Sequence, residues 1–126
     1  MELIIGGAYQ GKTEYAKKEH PALTWKDAGD MCEEELLAAE GILNFQNYIK
    51  KEIQEGRNPG KIGELLLQKN PDAVIVSEEV GYGVVPMNAF EREYREAVGR
   101  ICTKVASGSR KVTRVICGIG TVIKSD

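Results

Sequence analysis

Residues 6–13 read Gly6-Gly7-Ala8-Tyr9-Gln10-Gly11-Lys12-Thr13, directly after MELII at residues 1–5. How this stretch is read decides the fold. The apolar run before it suits a short buried strand. KTEYAKKEH at 12–20 suits a short helix that stops before Pro21. Between strand and helix, glycines let successive backbone N–H groups turn inward around an anion. The helix N-terminus adds a partial positive charge. Lys12 can reach phosphate oxygens as a point charge, and the Thr13 hydroxyl suits a Mg2+ that bridges them. The spacing Gly6-x-x-x-x-Gly11-Lys12-Thr13 is the phosphate-binding P-loop pattern. Gly6, Gly7, Ala8, Tyr9, Gln10, Gly11, Lys12 and Thr13 are therefore the expected nucleotide-binding residues. Lys12 is the expected catalytic cation, and Thr13 an expected metal ligand. The alternative is a glycine-rich turn with an incidental Lys-Thr.

Working outward, Cys32–Glu55 reads as helix, with Leu36, Leu37, Ile42, Phe45, Ile49 and Ile53 on one face. Gly41 can split it into two helices, and Gly56 suits the position just past its end. ALTW (22–25) reads as a second strand, KIGELLLQK (61–69) as a further helix, and Ala73–Val76 as a central parallel strand. Asn88 with Glu91 reads as a capping box. It opens a helix with Phe90, Tyr94, Ala97, Val98, Ile101 and Val105 on its apolar stripe. KVTRVICGIGTVIK (111–124) reads as a hairpin centred on Gly118-Ile119-Gly120. Alternating strands and helices predict an α/β, P-loop NTPase-like three-layer fold, with a mostly parallel sheet and a C-terminal hairpin. One P-loop nucleotide-binding domain over 1–126 is expected.

Composition narrows the partners. Lys plus Arg is 17 and Asp plus Glu is 19, a net charge of −2. That balance gives no electrostatic reason to expect nucleic acid. No apolar run is long enough to span a bilayer. The opening residues read as strand rather than as a leader, so a cytoplasmic setting is expected. Cys32, Cys102 and Cys117 show no CxxC spacing and read as buried small hydrophobes in a reducing compartment. His20, the sole histidine, cannot build a histidine metal site alone and reads as a helix-end residue.

A phosphate grip calls for an acid nearby. Ser77-Glu78-Glu79 follows the central strand, at the edge where α/β sheets hold their ligands. Glu79 is the expected catalytic and metal-side carboxylate, by holding Mg2+ through water or by taking a proton from an attacking hydroxyl. Glu78 is the weaker candidate, and both can equally be solvated loop carboxylates. Arg92 and Arg95 share a stripe with Gly99 away from the apolar face. They read as phosphate, substrate or subunit contacts, or as a solvated face.

The segment EVGYGVVPMNAFEREYREAVGR (79–100) resembles the adenosylcobinamide kinase / adenosylcobinamide-phosphate guanylyltransferase family. Glu79, Val80, Gly81, Gly83, Val85 and Pro86 match the first part of that family's C-terminal motif. Asn88, Arg92, Arg95, Gly99 and Arg100 match the second. GIGTVIK (118–124) resembles the last strand pair. The resemblance covers the first two dozen residues and everything from Asp72 on. It implies transfer of the γ-phosphoryl group of ATP or GTP to the aminopropanol hydroxyl of adenosylcobinamide, a corrinoid, in cobalamin biosynthesis. It also implies a homo-oligomer, often a homotrimer, and makes Arg100 a further phosphate or interface candidate. Bifunctional members add guanylyl transfer through a histidine in the middle region. That step needs an imidazole nucleophile, and no histidine follows His20. The family's acidic strand in the middle is not identifiable, which leaves Asp27 and Asp30 as further acids, and Cys102-Thr103 stands where the family has Asn-Gln. The expected function is thus a Mg2+-dependent kinase. The alternatives are a nucleotide-binding module without phosphotransfer, or a P-loop kinase of another small molecule.

Overall fold

The structure is a computed structural model and describes residues 1–80 and 88–126. Strand β1 (Glu2–Gly6) lies inside the sheet, parallel to β4 (Val74–Glu78) on one side and β5 (Lys111–Ile116) on the other. Flanked on both edges and covered on both faces, such a strand is apolar at its centre: Leu3 and Ile4 are each 1% exposed, while the buried Glu2 at its start meets His20 and Lys111. With β2 (Trp25–Asp27), β3 (Gly41–Leu43) and β6 (Ile119–Ser125), the six strands run in the order β2-β3-β4-β1-β5-β6. All neighbours are parallel except β5 and β6, the C-terminal antiparallel hairpin. This is the expected P-loop NTPase-like arrangement.

One face of the sheet carries α1 (Lys12–Glu19), whose Ala16 packs with Ile4, Val74, Val76 and Val115. The other face carries α3 (Phe45–Gln54), α4 (Ile62–Lys69) and α5 (Ala89–Gly108). Their Phe45, Ile49, Leu66, Val98, Ile101 and Val105 pack against Leu3, Ile42 and Ile75. The period-two alternation of β1, β3, β4 and β5 divides each of them between these two cores. The α5 stripe is as the sequence predicts: Tyr94, Val98, Ile101 and Val105 are buried, and Phe90 and Ala97 pack at their margin. Its start is capped, with the Asn88 side chain accepting from the Glu91 N–H at 2.7 Å.

The middle of the chain corrects the sequence reading. Residues 32–55 are not one helical stretch, nor two helices divided at Gly41. A short α2 (Glu33–Leu36) leads into β3, and only then does α3 begin. Gly41-Ile42-Leu43 is too short to show a strand period, but between β2 and β4 it completes the parallel sheet. Glycine is required there, since a β-carbon on Gly41 would stand 2.4 Å from the Trp25 ring. Gly56 ends α3 as expected: at φ +79 it lets its own N–H reach the Ile53 carbonyl and the Arg57 N–H reach that of Glu52. The second strand lies at Trp25–Asp27, overlapping the expected ALTW (22–25) only at Trp25. The hairpin turns at Cys117 (φ 52) and Gly118 (φ 74), one step earlier than expected, as a two-residue turn with both residues left-handed demands. The cysteines are free, but Cys32 and Cys117 are exposed rather than buried.

Candidate functional site

At Gly6 the chain leaves the sheet where β1 and β5 come very close. A β-carbon there would stand 2.7 Å from the Val115 carbonyl oxygen. The loop then passes through Tyr9 (φ 60) and Gly11 (φ 82) before α1 starts. It is braced by the hairpin tip: the Gln10 side-chain oxygen accepts from the Cys117 N–H at 2.7 Å, and the Gln10 carbonyl accepts from the Gly118 N–H at 2.7 Å. Gly7 is partly covered, while Ala8 and Tyr9 project into solvent. Lys12 is buried at 8% exposure, and its Nζ donates to the Gly7 carbonyl at 3.2 Å. The ammonium group thus folds back over the loop that precedes it. Thr13 stands partly exposed in the first turn of α1.

Two adjacent carboxylates meet this loop in different ways. Glu78 ends β4, and its Oε1 lies 3.8 Å from Lys12 Nζ. Its N–H donates at 2.9 Å to the side chain of Gln46, which is 5% exposed on the first turn of α3. Glu79 extends the pairing with β1 through its N–H to the Gly6 carbonyl at 2.8 Å. Its carboxylate is held in a fork by Arg114 of β5, with Nε to Oε1 at 3.0 Å and Nη2 to Oε2 at 3.1 Å. Glu78 therefore faces the phosphate loop, while both oxygens of Glu79 already have a cationic partner. Tyr94 lies close enough to feel Glu78: burial first, and then that charge, push its pKa up to about 12.

The flank of α5 that carries Gly99 is not simply solvated. Gly99 and Cys102 line a cleft of about 310 Å3 with Ile5, Val80 and Glu78. Arg95 stands one helical turn before Gly99, partly buried, with Nε 3.6 Å from Glu91. Arg92 lies about a turn before that and is exposed. Arg100 turns away, pairs with Glu96 at 3.6 Å and borders a different cavity near Arg57 and Asn58. The structure thus brings Gly99 to the acids and leaves Arg100 elsewhere. Asp27 is engaged at the sheet's edge, accepting from the Gly29 N–H at 2.8 Å and from Asn44 Nδ2 at 2.7 Å. Asp30 is exposed. The matched residues Gly81, Gly83, Val85 and Pro86 lie outside the described residues.

Gln46 and Arg114 were not singled out by the sequence. Gln46 sits in a run that reads as amphipathic helix, where nothing marks it. Arg114 did leave a signal, as the one long charged side chain inside the β-rich VTRVI (112–116). Among the described residues no group of three His, Cys, Asp or Glu side chains is placed to hold a metal. A phosphate-bound Mg2+ does not need one, because it keeps several waters and takes only one or two protein ligands. Thr13 offers one oxygen of that kind, a partly exposed hydroxyl in the first turn of α1.

A model of the family "cobinamide kinase / cobinamide phosphate guanyltransferase" matches residues 27–123, well over half of the chain. The chain belongs to this family. It is 41% identical over 51 residues to the bifunctional adenosylcobalamin biosynthesis protein CobU of Salmonella typhimurium strain LT2. It is 39% identical over 51 residues to the protein of that name from Escherichia coli strain K12. Each match spans 40% of this chain and 28% of the relative. The family match begins after the phosphate loop, so in this member of the cobinamide kinase family Gly6–Thr13 rests on its own spacing and geometry. The sole histidine, His20, stands apart from the phosphate loop. That residue caps the far end of α1, about 12 Å along the helix from Lys12, and its ring contacts the Glu2 carboxylate.

Proposed function

We propose that the chain acts in cobalamin biosynthesis as a Mg2+-dependent kinase. It moves the γ-phosphoryl group of ATP or GTP to the hydroxyl of adenosylcobinamide or a related corrinoid. One observation carries the reading: a buried Lys12 in a P-loop, folded onto the Gly7 carbonyl and 3.8 Å from the carboxylate of Glu78. Phosphoryl transfer asks for positioning and charge stabilisation more than for covalent chemistry. Backbone N–H groups of the loop grip the phosphates, and Lys12 swings from Gly7 to the γ-phosphoryl oxygens as charge develops there. Glu78 takes the proton of the attacking hydroxyl. Thr13, with water and phosphate oxygens, would hold Mg2+, which neutralises charge across the β- and γ-phosphates. Glu79, the acid first expected in these roles, instead fixes the strand ends through Arg114.

Guanylyl transfer is not part of the proposal, because His20 lies at the wrong end of α1 and is engaged by Glu2. The expected homo-oligomer stands as a proposal too. It is supported by the outer strand β6, where Ile119 is 70% and Ile123 is 57% exposed. No helix among the described residues is long and apolar enough to cross a membrane.

Incubation with Mg-ATP or Mg-GTP and cobinamide, followed by chromatography for phosphorylated corrinoid, tests the proposal. Wild type should form product, and Lys12→Ala should lose both nucleotide affinity and turnover. A Lys12→Ala protein with wild-type values of both would sink it. Nucleotide binding without product from any corrinoid would favour a binding module, and product from another small alcohol would favour a different P-loop kinase.

A further inference from the structure

We propose that the cleft between α5 and the ends of β1 and β4 receives the hydroxyl-bearing arm of the acceptor. Gly99 sets how bulky that arm can be. The proposal rests on the kinase reading above and adds a place and a size limit for the acceptor.

Three observations converge. The first is connection: Glu78 borders the cleft, and the same carboxylate stands 3.8 Å from Lys12 Nζ. An oxygen in the cleft is therefore adjacent both to a proton acceptor and to the cation that grips the γ-phosphoryl group. The second is chemistry. Ile5, Val80 and Val98 supply aliphatic walls. Cys102 presents a neutral thiol, since burial raises its pKa more than the bond to Ser77 lowers it. Glu79, also on the wall, is neutralised by Arg114. Once Lys12 has swung onto the phosphates, Glu78 leaves an acidic end on a space walled otherwise by aliphatic groups, the Cys102 thiol, Thr103 and the paired Glu79, which suits a short aliphatic alcohol or amino alcohol and repels an anionic arm. The third is size. About 310 Å3 lies at the lower end for small-molecule pockets. It accommodates a three-carbon arm but not a corrin ring, which must remain outside.

Gly99 is what keeps the space open. A β-carbon built there meets nothing within 4 Å. Its neighbours a turn away on the same stripe, Arg95 and Thr103, both carry side chains. In the transfer step the arm's oxygen bonds to the γ-phosphorus and its proton passes to the Glu78 carboxylate. The bond from that phosphorus to the bridging oxygen breaks, and its electron pair leaves with the nucleoside diphosphate.

The test uses the full chain with Gly99→Leu and Gly99→Ala, and three readouts. These are binding of cobinamide alone by its visible absorbance, formation of phosphorylated cobinamide, and nucleotide affinity. Gly99→Leu should weaken cobinamide binding by about tenfold or more, the scale of a few methylenes in an apolar pocket, with Gly99→Ala in between. Nucleotide affinity should not move. The melting temperature should not fall, since both replacements favour helix over glycine. Equal cobinamide binding by Gly99→Leu and wild type, or none by wild type, would overturn the proposal. Gly99-dependent binding with no phosphoryl transfer would leave the cleft standing and refute the kinase reading. Transfer indifferent to Gly99 would do the reverse.

Discussion

The two adjacent glutamates make opposite predictions, and swapping each for glutamine separates them. Glu79→Gln keeps the shape but removes the charge that Arg114 grips through two contacts at 3.0 and 3.1 Å. The Arg114 side chain is 37% exposed and that of Glu79 15%. Solvent therefore screens the pair below the several kcal/mol typical of buried ion pairs, and a loss of about 1–2 kcal/mol follows. For a chain of this length that corresponds to a fall in melting temperature of roughly 3–8 °C. Glu78→Gln removes a charge 3.8 Å from Lys12 Nζ. The gross attraction at that distance is about 4 kcal/mol at an effective dielectric near 20. Most of it is offset by desolvation, and the freed ammonium still has the Gly7 carbonyl. The melting temperature should therefore move by no more than about 2 °C. Turnover should fall by about 10²–10⁴, the worth of a positioned general base, while nucleotide affinity holds or rises because a carboxylate no longer faces the phosphates. Thermal melts, nucleotide titration and initial rates of cobinamide phosphorylation on the same preparations check all three. The reasoning is refuted if Glu78→Gln turns over at the wild-type rate while a fully folded Glu79→Gln does not.

Two further outcomes follow from the geometry. Gly6→Ala puts a β-carbon 2.7 Å from the Val115 carbonyl oxygen and 3.6 Å from Lys12 Cδ. Because the nearer partner is backbone, β1 and β5 must part, at about 1–3 kcal/mol; thermal melts should show the loss, with weaker nucleotide binding beside it. Tyr94 is raised from 10.0 to about 12 by burial and then by Glu78. Above pH 10 the unfolded chain releases this proton before the folded one does. Its contribution to stability is therefore fully present below pH 10 and lost as pH rises to about 12. Tyr48, raised by burial and its bond to Glu52, adds to the same slope. Denaturant titrations across that range should show Tyr94→Phe with a shallower decline than wild type.

The parts of the fold legible in the sequence are those where one local signal suffices. Gly6–Thr13 carries fixed spacing, β1 holds the apolar run Leu3-Ile4-Ile5, and Asn88 with the α5 stripe announces a helix by its cap and its period. What could not be read needed a partner distant in sequence. Gly41-Ile42-Leu43 spans less than one period of either helix or strand, and its neighbours on both sides are strong helix formers. Only Trp25, packed against Gly41, and Val74, paired with it in register, make it a strand. The site divides in the same way. Lys12 and Thr13 stand at fixed places in the motif, whereas the different surroundings of Glu78 and Glu79 depend on Arg114, contributed by β5 more than thirty residues later.

That dependence has a simple cause. Successive residues of a strand point to opposite faces, so two adjacent acids at a strand end cannot both face the phosphate loop. Ser77 points toward α5, where its Oγ meets Cys102 Sγ at 3.5 Å. The next residue, Glu78, is therefore the one delivered toward Lys12. Glu79 continues the pairing with β1 and emerges on the side of Arg114, whose neighbour Val115 is buried against α1. The alternation that makes β4 a central strand thus also turns one acid toward Lys12 and the other toward Arg114. A single-residue insertion between Val76 and Glu78 would exchange the two faces. It should abolish transfer even though both carboxylates, Lys12 and the whole phosphate loop remain in the chain.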